Sequence, residues 1–313
     1  MSGPILRIGT RQSALAMAQA NLVLNALTAA GAKATLVGIE STGDTNTSSP
    51  LYAMEGESPG VFAKQLQEAL RRGEIDLAVH SLKDLPTQLP TGLSVAAISK
   101  REWAGDCLVV RSHPPAGELP LRSGATVGTS SLRREAQFLS RRPDLKVISI
   151  RGNVPTRVQA VLDGKVDGVV LAQAGLRRLD LALSGVVQVD LPSNHFVGAP
   201  GQGAIAVESR STDSTRIHQL LNLFHHSDTA EEVGIERRIL QALEGGCSLP
   251  LGVRCRVDRV KGSYHVQAFL GHYQTDKAGA RSWLGFHPLE ETATQADDMV
   301  NSVVGTYKGI LDA

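Results

Sequence analysis

Two stretches of this chain share one pattern, a short apolar strand that ends in Gly-Thr and is followed by a serine and a helix. The first reads RIGTRQSALAMAQA (7–20), and the second reads TVGTSSLRREAQFL (126–139). A second similar pair is IDLAVHS (75–81) and VDGVVLA (166–172), in which an acidic residue precedes an apolar run. We interpret this as a weak internal duplication that gives two α/β lobes of similar plan. Generic α/β patterning is the alternative explanation.

The order of the predicted elements indicates the fold class. Between residues 5 and 172, short apolar strands alternate with helical segments, which favours mainly parallel sheets covered by helices. From about residue 229 the chain predicts an amphipathic helix, segments that alternate like antiparallel strands, and a final helix over 296–311. We therefore predict an α/β protein with two lobes and a small α+β C-terminal domain. The predicted boundaries are 1-102 with 198-222 for lobe 1, 103-197 for lobe 2, and 223-313 for the third domain.

Composition limits the classes of function. The 313 residues carry a net charge of +1, so no global field favours nucleic acid or an anionic membrane. Aromatic residues make up only 4%, too few for base-stacking platforms. No stretch reaches the ~18 apolar residues of a membrane span, and the N-terminus lacks the apolar run of a signal peptide. The three cysteines show no metal-binding spacing, and their odd number favours a reducing compartment. We expect a cytoplasmic protein that binds no metal, nucleic acid or membrane.

Basic side chains follow the ends of the predicted strands. Because ligands of open α/β sheets bind beyond the carboxyl ends of the strands, we expect these side chains to meet in one cleft. A single arginine of this kind is usually a solvated surface charge, but the shared placement favours a binding site. Arg133 and Arg134 also lie in the first turn of a predicted helix, where they oppose the helix dipole unless an anion is bound. We infer a cleft for a ligand with several carboxylates or phosphates. The basic residues are Arg11, Lys83, Arg133, Arg134, Arg151, Arg157, Arg177 and Arg178.

Two further residues are candidates for chemistry. Asp84, in HSLKDLP (80–86), is either an ordinary turn aspartate or a buried carboxylate that faces a cationic reaction centre. Cys247, in LEGGCSLPLG (243–252), is either a small apolar residue under a turn or a reactive thiol and covalent attachment point. Cys107 and Cys255 lie in predicted strands and are expected to pack in the core.

Several long motifs, in the same order, resemble those of the porphobilinogen deaminase family, whose members are also called hydroxymethylbilane synthases. They span nearly the whole chain, which makes the resemblance highly specific. The motifs are LRIGTRQSALAMAQA, DLAVHSLKDLPTQLP, VGTSSLRREAQF, IRGNVPTRV, LAQAGLRRL, PGQGAIAVESR and ERRILQALEGGCSLPLG.

The resemblance implies a fold, a reaction and a cofactor. The family fold has two lobes like those of periplasmic binding proteins, plus a smaller domain that carries the cysteine loop. The family condenses four porphobilinogen molecules head to tail with release of ammonia, and hydrolysis then releases hydroxymethylbilane. The growing chain starts from a dipyrromethane cofactor, which the resemblance places on Cys247 through a thioether. A monomer is expected, with porphobilinogen and the growing oligopyrrole as its partners.

The resemblance also implies roles for individual residues. Asp84 matches the catalytic aspartate, which would stabilise cationic pyrroles and help to move protons. Polar and cationic side chains would hold the carboxylates of the cofactor and of the substrate. The implied cofactor-binding residues are Ser13, Lys83, Asp84, Thr129, Ser130, Arg133, Arg134 and Cys247, and the implied substrate-binding residues are Arg11, Gln19, Arg151, Arg157 and Arg178.

The chain departs from the family pattern at two places. The glycine- and lysine-rich stretch of the family reads GESPGVFAK (56–64) here, and the glutamates that follow it appear as Gln65 and Gln67. The Arg-x-Asp-Pro-Arg-Asp motif appears as REWAGDC (101–107). The polar segment 43–60, which overlaps the first change, is either a functional lid or disordered. We expect an active enzyme with altered loop behaviour, and a family member that has lost activity is the alternative.

Two other classes of protein share part of these features. A two-lobed anion-binding receptor would have the lobes and the arginines but would not need the GGC loop. A cysteine hydrolase would need a histidine near Cys247. The candidate histidines are His80, His195, His225 and His226, and no hydrolase motif accompanies them.

Overall fold

The computed structural model describes residues 4–40, 63–181, 183–243, 249–276 and 281–312. The predicted loop over 43–60 and the loop that carries Cys247 lie outside these residues. The described elements form three sheets, of five, five and three strands.

The first sheet and its helices form lobe 1. Its strands are β1 (Leu6–Arg11), β2 (Ala34–Ile39), β3 (Leu77–Ser81), β4 (Leu93–Ile98) and β10 (Ile205–Arg210). They lie in the order β2-β1-β3-β10-β4. β1 pairs in parallel with β2 and β3, whereas β10 runs antiparallel to β3 and β4. The helices that pack on this sheet are α1 (Ala14–Ala29), α2 (Lys64–Arg71) and α6 (Ser214–Leu220).

The second sheet, in lobe 2, repeats this plan. Its strands are β5 (Asp106–Arg111), β6 (Thr126–Gly128), β7 (Lys146–Ile148), β8 (Gly168–Ala172) and β9 (Val186–Asp190). Their order, β7-β6-β8-β5-β9, has the same pattern of parallel and antiparallel neighbours as the first sheet. The helices of lobe 2 are α3 (Leu132–Arg141), α4 (Val154–Leu162) and α5 (Gln173–Arg178). The shared order supports the internal duplication.

Both sheets are mixed, whereas the sequence predicted mainly parallel sheets. The antiparallel strands are β5 and β10, and each enters its sheet from the other lobe. They arrive through a first crossing segment (99–105) and a second crossing segment (191–204). Two neighbouring parallel strands need a crossover connection, which is usually a helix. β5 and β10 reach their sheets from the other lobe without such a helix, so they can run antiparallel to their neighbours. The two segments touch, since the Glu102 N–H donates to Gly203 O at 3.2 Å.

Local sequence rules explain the helix that borders the space between the lobes. Ser13 accepts a hydrogen bond from the Ala16 N–H at 3.3 Å and so caps the start of α1. Val23 and Leu27 lie four residues apart on one face of this helix and are fully buried in the core of lobe 1. Gly31 follows with φ +79°, which suits the end of a helix. The helix predicted after the first Gly-Thr strand is confirmed.

The C-terminal part of the chain forms an antiparallel sheet with two helices. Its strands are β11 (Leu251–Asp258), β12 (Ser263–Thr275) and β13 (Arg281–Ala293), and its helices are α7 (Ser227–Ala242) and α8 (Ala296–Leu311). Helices and sheet share a core that includes Ile239, Val253 and Tyr307. The predicted α+β architecture is confirmed, while the exact domain boundaries stay predictions. Within the described ranges, no helix is both long and apolar enough to cross a membrane.

Candidate active site

A cleft of about 650 Å³ lies between the two lobes, beyond the carboxyl ends of β1, β3 and β8. Lobe 1 contributes residues at or just after the ends of β1 and β3. Lobe 2 contributes Arg134, on the helix that follows β6, and residues at or after the ends of β7 and β8. The second crossing segment contributes Gln202 and Gly203. The structure brings nine of the predicted site residues together in this lining. They are Arg11, Ser13, Gln19, Lys83, Asp84, Arg134, Arg151, Arg157 and Arg178.

Asp84 and Lys83 lie on a 3-10 turn, Leu82–Asp84, that directly follows β3. Leu82 and Leu85 are 0% and 3% exposed, and the Leu85 N–H donates to Leu82 O at 3.1 Å. Because these two leucines anchor the turn in the core, Asp84 is left exposed at the cleft and Lys83 is half-buried. The alternative of a buried Asp84 carboxylate is therefore wrong: Asp84 is an exposed turn aspartate that also lines the cleft.

Cations crowd this cleft, and their environment shifts their pKa values. Burial, together with the guanidinium groups of Arg134 and Arg151, lowers the pKa of Arg157 to about 10. Burial also lowers the pKa of Lys83, although the carboxylate of Asp84 acts in the opposite direction. The folded protein therefore holds these cations at an electrostatic cost, which a bound polyanion would reduce.

Arg133 and Arg134 share one buried carboxylate that the sequence reasoning missed. Asp106 is fully buried, and its Oδ2 and Oδ1 accept hydrogen bonds from Arg133 Nη1 at 2.6 Å and Arg134 Nη2 at 2.8 Å. Burial alone would raise the pKa of Asp106, but the two guanidinium groups outweigh it and lower the pKa. The carboxylate of Asp106 thus offsets the unfavourable interaction of these two arginines with the helix dipole. From the sequence, we attributed that effect to a bound anionic ligand. The available signal was an acidic residue directly before the apolar run CLVV.

The two arginines differ in what they face. Arg134 lines the cleft, whereas Arg133 is absent from its lining. Arg133 Nη1 also donates to Val197 O at 2.7 Å, so its side chain is directed to the second crossing segment. The structure therefore gives Arg133 contacts with the connection between the lobes rather than an open position in the cleft.

Two predicted hydroxyl groups also lie outside the lining. Thr129 is buried just after β6, and Ser130 Oγ donates to Ile150 O at 2.6 Å. Gln19, by contrast, lines the cleft and makes two hydrogen bonds with Ser81 Oγ, of 2.9 and 3.1 Å. Gln19 thereby ties α1 to the end of β3 and orients a hydroxyl group at the wall of the cleft.

Arg178 reaches the cleft from α5 and contacts the second crossing segment. Its Nη2 donates to Gly203 O at 2.7 Å and lies 3.9 Å from Glu102 Oε2 in the first crossing segment. The Nε atoms of Arg178 and Arg134 are buried and have no hydrogen-bond partner among the residues that the structure describes. Both arginines line the cleft, and guanidinium groups there suit a ligand that carries carboxylates.

Cys247 lies outside the described residues, on the connection between α7 and β11. Cys107 and Cys255 are buried in β5 and β11, and burial raises the pKa of each thiol to about 12. They are therefore poor sources of thiolate, and their predicted packing role is confirmed. Across the described ranges, no group of three or more His, Cys, Asp or Glu side chains is arranged to hold a metal ion.

The departures from the family pattern have local explanations where the structure describes them. Gln67 is buried and donates to Glu208 Oε1 at 3.0 Å, so a neutral amide stands where a glutamate would place a second carboxylate. Trp103 lies under the Arg177 guanidinium, 5.4 Å from ring centroid to Cζ, and adopts φ +45°, which is rare for a bulky residue. Most of the change over 56–64 lies outside the described residues.

The fold and the cleft define a two-lobed α/β protein whose interlobe cleft is lined by cations and exposes one carboxylate. A family model described as "Porphobilinogen deaminase, dipyromethane cofactor binding domain" matches residues 6–218. The chain belongs to the porphobilinogen deaminase family and contains its cofactor-binding domain, which confirms the resemblance and the cofactor.

Relatives named porphobilinogen deaminase match most of the chain. The relative from Geobacter sulfurreducens is 43% identical over 254 residues, which cover 80% of this chain and 77% of its own. The relative from Desulforudis audaxviator is 46% identical over 247 residues, 78% of each chain. A solved periplasmic substrate-binding protein from Coxiella burnetii covers 74% of this chain and 98% of that chain, at 15% identity and a TM-score of 0.43. That likeness is too distant to support an argument.

Proposed function

We propose that this protein is a transferase that condenses four porphobilinogen molecules head to tail and releases ammonia and hydroxymethylbilane. Membership of the family supports the reaction. The observation that carries the proposal for this chain is the convergence of six cationic side chains on a cleft that also exposes Asp84. Porphobilinogen carries an acetate and a propionate, so a growing oligopyrrole is a polyanion that such a cleft attracts.

The residues of the cleft fit a dipyrromethane cofactor. Its carboxylates match the guanidinium groups of Arg134 and Arg178, and the half-buried Lys83 lies in the same lining. When bound, the dipyrromethane supplies the pyrrole carbon to which the first substrate unit is joined. We propose Cys247, in the GGC motif, as its thioether tether. Ser13 lies in the same lining, whereas Arg133, Thr129 and Ser130 would have to leave their present contacts to join it.

The substrate carboxylates are assigned to the remaining cations of the lining. Arg11 is the last residue of β1 in lobe 1, while Arg151 and Arg157 lie in lobe 2, so a ligand held by all three would bridge the lobes. Bidentate contacts from guanidinium groups fix the direction as well as the position of a carboxylate. Gln19 orients Ser81 beside them. This arrangement would align each incoming pyrrole with the end of the chain.

Asp84 is the proposed catalytic residue. Loss of ammonia from porphobilinogen and formation of the new carbon–carbon bond both develop positive charge on a pyrrole. An exposed carboxylate on a rigid turn can accept hydrogen bonds from pyrrole N–H groups and stabilise that charge without reorganising. It can also accept the proton that the new ring carbon loses.

Intact-protein mass spectrometry and turnover assays test this function. Wild type should carry a dipyrrole adduct that Cys247→Ser lacks. Asp84→Asn should keep the adduct and lose about 10²–10⁴-fold in turnover, because it removes the charge and the proton acceptor. A wild type with no adduct and no consumption of porphobilinogen would contradict the function. Near-normal turnover of Asp84→Asn would contradict only the role of Asp84.

We also propose that the protein works as a monomer in the cytoplasm. The buried Cys107 and Cys255 and the odd cysteine count support a reducing compartment. Size-exclusion chromatography with light scattering tests the monomer, and a mass near twice 33.2 kDa would contradict it.

A further inference from the structure

One arginine of the C-terminal domain contacts the turn that carries Asp84. Arg237 lies on α7, and its Nη1 donates to Leu85 O at 2.8 Å and to Leu82 O at 3.4 Å. Its Nη2 donates to Pro86 O at 2.5 Å. These carbonyl groups lie on both sides of Asp84 in the sequence. A planar guanidinium with fixed donor directions can therefore hold the whole turn at once.

Close packing also holds the turn. Val233, one helical turn before Arg237, belongs to the apolar cluster that contains Leu82 and Leu85. Gly201 approaches Leu82 so closely that a Cβ there would lie 2.9 Å from Leu82 Cγ. Both α7 and the second crossing segment therefore contact the turn.

The residue next to Arg237 fixes the position of the helix itself. Glu236 is fully buried, and its Oε2 accepts a hydrogen bond from the Gly201 N–H at 2.8 Å. Its Oε1 accepts from the Cys255 N–H and from Arg101 Nη1, both at 2.8 Å. Glu236 thus joins α7 to both crossing segments and to β11. Two adjacent residues of α7 therefore connect this helix to the Asp84 turn and to both links between the lobes.

A purely apolar helix face could pack against the turn without a cation. Burial lowers the pKa of Arg237, although the Glu208 carboxylate opposes this effect, so the guanidinium occupies its place at an electrostatic cost. That cost is offset by three hydrogen bonds to backbone carbonyl groups that flank one exposed carboxylate.

We propose that Arg237 is a positioning residue for Asp84, which fixes the direction of that carboxylate relative to the cations of the cleft. This inference rests on the proposed function. Arg237 acts through the backbone of residues 82–86 and has no place in the lining of the cleft.

The test compares Arg237→Met with Arg238→Met as a matched control. Arg238 lies on the same helix but its side chain is 47% exposed, and its ion pair with Asp297, at 2.6 Å, is on the surface. For each variant, kcat and KM for porphobilinogen are measured per molecule that carries the dipyrrole adduct, counted by intact-protein mass spectrometry. Hydrogen exchange of the backbone amides of residues 82–87 is measured on the same preparations. Arg237→Lys tests whether a point charge without the planar fork is sufficient.

The expected result separates positioning from folding. Arg237→Met should lose about ten- to a hundredfold in kcat, because a misplaced carboxylate forfeits alignment. Its KM should stay within about threefold, since the cleft cations are untouched. Exchange at residues 82–87 should become faster, Arg237→Lys should recover part of both losses, and Arg238→Met should match wild type.

Two results would overturn the inference. One is a kcat per adduct-bearing molecule that is equal for Arg237→Met and Arg238→Met, which would leave Arg237 with a structural role alone. The other is unchanged hydrogen exchange at residues 82–87 in Arg237→Met. An inactive, adduct-free wild type would instead refute the proposed function, and the exchange comparison would still decide whether Arg237 holds the turn.

Discussion

Replacing Asp106 by asparagine should destabilise the protein far more than the small change in shape suggests. The variant keeps the size of the side chain but removes the negative charge that Arg133 and Arg134 share. These side chains are only 5% and 8% exposed, so water cannot take over the role of the carboxylate. Gln202 Nε2, which donates to Asp106 Oδ1 at 3.0 Å, would also meet a weaker acceptor.

The size of the effect follows from the burial of both partners. Removing one partner of a buried ion pair costs about 3–5 kcal/mol, because the remaining charge stays buried without compensation. For a cooperative unit of about 150–250 residues, each kcal/mol lowers Tm by roughly 2–4 °C, so a decrease of roughly 6–20 °C is expected.

Urea unfolding at pH 7.5 measures this loss, with Asp144→Asn as the control. Asp144 also pairs with an arginine, at 2.7 Å from Arg142 Nε, but both side chains are partly exposed, at 34% and 27%. Solvent screens that pair, so its loss should shift the midpoint much less. Equal midpoints for the two variants would refute the reasoning, because it requires burial to set the difference.

The ion pairs of Asp106 also predict how the stability of the protein depends on pH. The pKa of Asp106 is lower in the folded than in the unfolded protein, so its contribution is fully present above about pH 4 and is lost as the pH falls below that value. The stability difference between wild type and Asp106→Asn should therefore shrink on acidification. A difference that stays constant from pH 7 to pH 3 would contradict the assignment of the charge.

Two further stability predictions concern the crossing segments and the helices around them. Burial and two neighbouring imidazoles lower the pKa of His225, so the free energy of unfolding should decrease as the pH falls through about 6.5. In urea titrations at pH 7.5 and 5.5, a His225→Gln variant should show a smaller decrease than wild type. Gly203→Ala should destabilise by more than about 1 kcal/mol, because Gly203 has φ +90° and a Cβ would collide with Glu102 O. Gly234 lies inside α7 with open space around it, so Gly234→Ala should instead stabilise the protein by up to about 1 kcal/mol. Equal melting temperatures for the two variants would contradict this prediction.

The sequence was sufficient for elements whose cause is local. Helix α1 could be predicted because the Ser13 cap, the apolar spacing and Gly31 all lie within one stretch. The insertion of β5 and β10 could not, because each of these strands pairs with residues of a sheet that the chain had left or had not yet reached. Alternation of strands and helices describes the parallel half of each sheet, and the antiparallel half depends on contacts between the lobes.

The same difference between local causes and contacts distant in sequence applies to the site. The convergence of cations followed from their places after strand ends, which is a topological rule. Which of the two adjacent arginines faces the cleft could not be predicted. Neighbouring residues on a helix point about 100° apart, and the rotation of α3 about its axis depends on its packing. Asp106 was missed for a related reason, since its partners lie 27 and 28 residues away.

Asp106 also changes how the charge of the cleft relates to its ligand. Among the described residues, seven cations line the cleft or lie directly behind it, namely Arg11, Lys83, Arg133, Arg134, Arg151, Arg157 and Arg178. Asp84 and Asp106 are the two carboxylates of the same site, so these nine residues together carry a net charge of about +5. A dipyrromethane brings four carboxylates, which this excess balances, whereas a third pyrrole already brings the total to six. A longer chain therefore exceeds the charge of the cleft in this conformation, and its added carboxylates need water or further cations. Arg178, Glu236 and Asp106 contact the crossing segments that link the lobes, so any widening of the cleft to admit a longer chain would have to act on these contacts.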